Sequence, residues 1–331
     1  QRLILDQGFY PDGIYTAPAA EELEKDGHEV KIAYGRCKVP EEYRRYAVRI
    51  GSLISVLWHA LLSRLFDMRG QGSRLATRRF LKWAEEYDPE VLWLHNLHDH
   101  YINTDLLFEW IKKRPGMQVR WTQHDCWAFT GSCMHYMQDA CTQWQTECLK
   151  CPSGCTFPKG TLIRRPKANY LRKKNAFSGV LNMLIICPSQ WMEKQIGQSF
   201  LRDCRRSVCR NTVDADVFKL RKSDLRQRYG LEDKRIILGA ASSWTEKKGL
   251  YDFYELASRL CTGFAVVLVG LTKKQIRRLP DNIIGIERSN DASFLAECYS
   301  SADLFLNLSH EENYPTVNLE AQSCKAVCRF T

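Results

Sequence analysis

The chain has 331 residues, of which 44% are hydrophobic and 26% charged, with a formal net charge of +10. That length suits two domains of ordinary size, and the composition excludes a disordered chain. The longest apolar run, Ile50–Phe66, contains His59 and Arg64 and is too short and too polar for a membrane span. The basic excess favours anionic partners: phosphates, acidic lipid or nucleic acid.

Arg2–Asp6 reads as a first strand, 7–18 as a loop, Ala19–Lys25 as a helix stopped by Gly27, and Glu29–Tyr34 as the next strand. This strand–helix–strand opening is that of a parallel, doubly wound sheet. Leu53, Leu57, Leu61 and Leu65 recur every four residues, which predicts an amphipathic helix. Packing against the core is the favoured reading of that helix. The other reading is a surface that lies against anionic lipid.

Helix and strand signals then alternate. Arg74–Tyr87 is helical, and Val91–Leu94 is a strand that ends in His95-Asn96-Leu97-His98-Asp99-His100. Leu106–Lys113 is helical, and Val119–Thr122 is a strand that ends in Gln123-His124-Asp125-Cys126-Trp127. Ligands gather at the carboxyl ends of strands in open α/β sheets, so two polar clusters at consecutive strand ends mark a candidate site.

Residues 131–165 break the alternation and hold a cysteine group. Cys148 and Cys151 form a C-x2-C pair, and Cys133 and Cys141 could complete a tetrahedral zinc site, with His135 or Cys155 as substitutes. Zinc would give this segment, which lacks regular structure, its order. No secretory leader is visible at the start, so the chain's 14 cysteines are not read as a disulfide framework, and a cytoplasmic protein is expected. From Lys159 to Lys174 the chain carries seven basic residues and no acid.

Regular structure resumes with helix Ala168–Phe177, strand Met183–Cys187 and a helix capped by Ser189. The polar stretch Arg210–Phe218 reads as a domain junction. Beyond it come strand Arg235–Ala240, helix Leu250–Leu260, strand Ala265–Val269, helix Lys273–Arg278, strand Ile283–Ile286, helix Ala292–Ser300 and strand Leu304–Leu308. The expected domains are 1–215, with an insertion at 131–165, and 216–331, two α/β domains with a cleft between them.

The last strand leads into Ser309-His310-Glu311-Glu312-Asn313-Tyr314-Pro315-Thr316, and Pro315 stands where a helix begins, where its missing N–H costs nothing. The free N–H groups of a helix start form an anion site. Glu312 before the helix and Glu320 within it could accept hydrogen bonds from sugar and ribose hydroxyls, which suits a sugar nucleotide. Lys248, in the loop after strand Arg235–Ala240, could place its ammonium on a diphosphate.

These stretches resemble the family 4 glycosyltransferases, retaining enzymes of the GT-B fold, and especially bacterial members that build capsule, exopolysaccharide or lipopolysaccharide. The likeness is carried by Gly27-His28-Glu29-Val30, His124 to Gly131, Pro188-Ser189-Gln190-Trp191, Asn211-Thr212-Val213-Asp214, Lys248-Gly249 and the E-x7-E pair Glu312 and Glu320. It implies transfer of a sugar, with retention, from a UDP- or GDP-sugar to a glycan or lipid-linked acceptor. Lys248 would stabilise the leaving diphosphate, Glu320 would hold the ribose, and Glu312 with Asn313, Tyr314, Pro315 and Thr316 would hold the donor sugar and phosphates. His124 would meet the sugar, and Asp125 would orient His124 or the acceptor.

The resemblance implies no catalytic metal. A nucleic-acid binder is motivated only by the net charge, and the basic run lacks a recognised module, so no nucleic-acid partner is expected. The Ile50–Phe66 helix and the basic run at 159–174 would suit a lipid-linked acceptor and a place on the inner face of the cell membrane. The chain departs from the family at Thr212, at Ser243 and at Lys325, where Gly, Arg and Gly respectively are usual. Relative to the family pattern its second domain stops short of the closing helices. A sugar-nucleotide epimerase of the same fold, or a remnant that binds without turnover, are the rival readings.

Overall fold

The computed structural model describes residues 1–8, 16–36, 38–137, 139–151, 161–289 and 291–330. The chain separates into two compact units, Gln1–Arg210 and Asn211–Thr331. Asn211 belongs with the second because its side-chain amide donates to the Tyr314 carbonyl at 2.8 Å.

The first unit contains, in order, β1 (Arg2–Asp6), α1 (Thr16–Lys25), β2 (Val30–Tyr34), β3 (Ala47–Arg49), α2 (Leu53–Phe66), α3 (Arg74–Tyr87), β4 (Val91–Leu94), α4 (Thr104–Lys112), β5 (Gln118–Thr122), α5 (Pro166–Phe177), β6 (Met183–Cys187), α6 (Gln190–Gly197) and β7 (Arg205–Val208). Its seven strands are ordered β3-β2-β1-β4-β5-β6-β7, and every neighbouring pair is parallel. Strands β4 (Val-Leu-Trp-Leu) and β6 (Met-Leu-Ile-Ile-Cys) are apolar along their length because helices cover both faces of such a sheet. Side-chain caps set several helix starts: Asn103 accepts from Leu106 N at 3.1 Å and Ser189 from Met192 N at 3.1 Å. Under β5 the rings of Phe108 and Phe177 lie 4.5 Å apart and that of Trp121 sits 5.0 Å from Phe177.

The second unit contains α7 (Leu225–Arg228), β8 (Arg235–Ala240), α8 (Leu250–Arg259), β9 (Phe264–Leu271), α9 (Lys273–Ile276), β10 (Ile283–Glu287), α10 (Ala292–Ser301), β11 (Leu304–Asn307), α11 (Thr316–Ser323) and β12 (Cys328–Phe330). Its strands are ordered β10-β9-β8-β11-β12, again all parallel. Each unit is thus a Rossmann-like α/β layer structure. The order reverses between β1 and β4 in the first unit and between β8 and β11 in the second, and these reversals place the ligand crevices of such sheets.

Three strands escape the sequence reading: β3, β7 and β12. Each lies at an end of its sheet, and β3 (Ala-Val-Arg) and β7 (Arg-Arg-Ser-Val) lack the continuous apolar signal of a doubly covered strand. The favoured reading of the Ile50–Phe66 helix is corrected. The helix starts at Leu53, and only Val56, His59 and Ser63 are buried, while Leu53, Ile54, Leu57, Trp58 and Leu61 face outward. The His59 ring goes inside because it is bonded there: Nε2 accepts from Gly72 N at 3.0 Å and Nδ1 lies 3.0 Å from Ser73 Oγ.

Candidate functional site

In the second unit the loops after β8 and β11 run side by side, because those two strands are neighbours. Gly249 turns the first loop with φ 75°, and a Cβ there would stand 2.5 Å from the Leu308 carbonyl oxygen. Only glycine permits both the turn and the approach. His310 N donates to the Lys247 carbonyl at 2.9 Å, which ties the loops together. Two ion pairs cross the seam: Lys247 Nζ with Glu311 Oε2 at 3.0 Å, and Lys248 Nζ with Glu312 Oε1. Lys248 and Glu312, chosen from separate stretches of sequence, are therefore direct partners.

Asn313, Tyr314 and Pro315 carry the chain into α11, which begins at Thr316. Pro315 contributes no capping side chain, so the first-turn N–H groups are not closed off by one. Glu320 sits four residues in, and its Oε2 accepts from the Tyr299 hydroxyl at 2.9 Å. Burial raises the Glu320 pKa against the lowering effect of its bonds to Tyr299 and Thr316. Tyr299, Lys247 and Glu311 are additions that the sequence reading missed. Glu311 stands beside Glu312 in the same loop, but Tyr299 sits mid-helix with no local signal.

The first unit gathers a different set at the ends of β1, β4 and β5. His95 Nδ1 lies 3.0 Å from His124 Nε2 with the rings stacked 5.3 Å apart. Burial holds both rings neutral: the His124 pKa falls to about 4 and that of His95 falls well below its ordinary value. Beside them His98 Nε2 bonds Asp125 Oδ2 at 2.7 Å, and Asp125 Oδ1 accepts from Trp127 N at 2.8 Å. Burial opposes charge on both groups of this pair, yet their mutual attraction prevails, so His98 is raised and Asp125 lowered.

Asp99 pairs with Arg36 at 2.5 Å and with His100 at 3.2 Å. Although burial alone would raise it, these partners bring its pKa down to about 2. At the end of β1, Asp6 is pushed up to about 7 by burial, while accepting from Gln7 N at 2.7 Å and Asn96 Nδ2 at 3.2 Å. Several buried polar atoms here have no hydrogen-bond partner, among them His95 Nε2, His98 Nδ1 and the Tyr101 hydroxyl. Such atoms normally find a partner in water or ligand. The strand-end cluster of residues 95–100 was visible in the sequence, but Asp6, Arg36 and Tyr101 were not, since only the sheet order brings β1 beside β4.

Cys133, Cys141, Cys148 and Cys151 line one recess, which they share with Gly131 and Asp139. Even so, among the described residues no group of three or more His, Cys, Asp or Glu side chains is placed to hold a metal ion. The expected zinc tetrathiolate is not assembled. Cys148 Sγ accepts from Gly131 N at 3.2 Å, and burial pushes its thiol up to about 11. Cys133, Cys141 and Cys148 pack against the core as small hydrophobes. Cys155 lies outside the described residues. The nearby Lys173 is fully buried, its ammonium bonded to the Trp127 carbonyl and 4.2 Å from the Trp127 ring centroid.

Comparison with known proteins adds to this geometry. Residues 221–328 match the family described as Glycosyl transferases group 1. Over 108 residues the chain is 35% identical to the putative colanic acid biosynthesis glycosyl transferase WcaC of Escherichia coli K12. The match covers 31% of this chain and spans about a quarter (26%) of that relative. Among solved structures, sucrose-phosphate synthase from Thermosynechococcus elongatus superposes with a TM-score of 0.72 at 14% identity, covering 100% of this chain and 81% of that one. Anabaena HepE, solved with UDP and glucose, gives 0.64 at 15% identity, covering 99% and 79%. At these identities the structures speak for the fold alone, two Rossmann-like domains as in GT-B glycosyltransferases. Residues 221–328 of the second unit are thus similar to the Glycosyl transferases group 1 family, on a chain whose two α/β layers follow the GT-B pattern.

Proposed function

We propose that this chain transfers a sugar, with retention, from a nucleotide-diphosphate sugar to a hydroxyl of a glycan or lipid-linked acceptor in surface polysaccharide synthesis. The observation that carries the reading is the Lys248–Glu312 pair beside the start of α11, at the strand-order reversal of the group 1 domain. The relative named for colanic acid biosynthesis supports the pathway, and the structure of HepE with UDP and glucose supports a nucleotide-sugar donor.

In this reading the donor diphosphate takes the place of Glu312 on the Lys248 ammonium. The leaving diphosphate is then neutralised by Lys248 and by the first N–H groups of α11, an electrostatic contribution that needs no protein nucleophile. Glu312, released, faces the sugar hydroxyls, and Glu320 accepts from the ribose. The neutral His124 imidazole can donate or accept a hydrogen bond to a sugar hydroxyl without introducing charge, and Asp125 fixes the backbone beside it through Trp127 N. Asn313 to Thr316 supply backbone groups along the phosphates.

A thermal-shift panel of UDP-, GDP- and dTDP-sugars tests the donor site, since a ligand that binds the native state raises its stability by mass action. One nucleotide class should raise the midpoint, and Lys248→Ala should abolish that rise. A panel with no shift at saturating donor refutes the reading. Release of nucleotide diphosphate only when an acceptor glycan is added separates transfer from epimerisation.

A further inference from the structure

The outward face of α2 is apolar from Leu53 to Leu61. Ile54 is 79% exposed, and Leu57 and Trp58 are each 60% exposed, with Leu53 and Leu61 beside them. The segment after residue 160 extends this face. Leu162 N and Ile163 N donate to the carbonyls of Arg64 and Leu65, both at 3.0 Å, so Leu162 (74% exposed) and Ile163 are held against the end of the helix. A contiguous exposed patch of this kind marks an interaction surface rather than scattered surface apolarity.

The patch is held rigidly. Ser52 and Ser55 form a reciprocal capping box at the start of α2, and Asp67 closes its end in the left-handed region at φ 56°. On the inner side, Gly72 and His59 are packed so closely that a Cβ at Gly72 would lie 2.4 Å from the ring. The helix therefore cannot roll to hide its leucines without tearing out the His59 hydrogen bonds.

Charge identifies the occupant. Residues 49–82 contain seven Lys or Arg and one acid, Asp67, which is buried. Arg49, Arg64, Arg74, Arg78 and Arg79 are all exposed. Residues 161–174 contain no acid at all. An apolar stripe with a tryptophan, edged by arginines, suits the boundary between anionic headgroups and acyl chains. A second copy of the chain would bring two arginine-rich rims together, which is unfavourable. Among the described residues no helix is long and apolar enough to cross a membrane. We infer that α2 and residues 161–165 dock this protein, lying flat, on an anionic phospholipid surface, a role independent of the donor chemistry above.

Co-sedimentation with vesicles needs no sugar nucleotide, so its outcome is separable from the proposed activity. The probe is vesicles of phosphatidylglycerol and phosphatidylcholine in equal parts, against phosphatidylcholine alone. The full chain should sediment with the mixed vesicles at low salt, much less at high salt, and not with the neutral ones. The doubly substituted Leu57→Glu, Trp58→Glu chain should bind at least about tenfold more weakly while keeping its circular dichroism, since both side chains are exposed. Arg64→Gln should cost about fivefold. No sedimentation at low salt, equal binding to neutral vesicles, or parent-like binding by the double variant would each overturn the inference. So would light scattering that shows a dimer which the double variant converts to a monomer.

Discussion

The two strand-order reversals of this molecule carry similar residue types in opposite settings. In the first unit His98–Asp125 and the His95–His124 contact are buried under the ends of β4 and β5, where burial keeps His95 and His124 neutral and the mutual attraction of His98 and Asp125 outweighs it. In the second unit Lys248–Glu312 sits at the surface of two loops, where water screens it. A buried pair cannot lose one member cheaply, whereas a screened pair contributes little and can be exchanged for a ligand. The first setting therefore suits a fixed, pre-arranged wall, and the second a site that opens to an anion.

The sharpest way to break this contrast is Asp125→Ala. It strands His98 without its counter-charge and leaves Trp127 N without an acceptor, and should cost about 3–5 kcal/mol in urea unfolding. A loss no larger than that of a surface pair would erase the distinction between the two regions.

The next largest effect is a pH dependence. His124 titrates near 4 when folded, below the 6.5 of an unfolded histidine. Its contribution is fully present above pH 6.5 and is lost as pH falls through 4, by about 3 kcal/mol. His59, also lowered to about 4 by burial, acts in the same direction. Asp6 acts oppositely: its folded value near 7 exceeds 3.8, so its contribution is greatest in acid and declines as pH rises through 7. His124→Gln should therefore flatten stability between pH 6.5 and 4, measured by denaturant midpoints across that range. An unchanged acid limb would mean that the ring is solvated in the native protein.

Lys248→Ala sharpens the comparison from the other side. Turnover should fall about a hundredfold, the scale for losing one preorganised donor to developing negative charge. The urea midpoint should hardly move, because the pair with Glu312 is screened. Equal losses of stability and turnover would make Lys248 a structural residue. Glu320→Gln should have the smallest effect, about a tenfold rise in the nucleotide dissociation constant by calorimetry, because an amide accepts ribose hydroxyls less strongly than a carboxylate. Unaltered nucleotide affinity would leave Glu320 as no more than the partner of Tyr299.

Local signals explain what could be read from the sequence alone. Apolar runs such as Phe264–Leu271 and Val91–Leu94 are strands in any context that buries both faces. Ser189 and Gly27 punctuate helices through their own side chain or lack of one. The loop positions of Lys248 and Glu312 and the helix position of Glu320 follow directly from those elements, and the family motifs singled these residues out. That much was determined by the sequence: two α/β layers, and which loops end at the carboxyl edge of each sheet.

Tertiary structure decided the rest. The thiols at 133, 141, 148 and 151 have ligand-like spacing, but their placement depends on how a segment without regular elements packs, and spacing carries no information about that. Asp6 becomes a high-pKa carboxyl only because β1 and β4 are neighbours, a pairing separated by 85 or more residues of chain. Helix α2 is apolar on more than one face, so periodicity could not choose the inner one. The choice fell to Gly72 and Ser73, whose backbone and hydroxyl draw His59 inward and leave the leucines outside. A polar group with partners can be buried at little cost, and here its hydrogen bonds, not the leucine repeat, set the orientation of the helix.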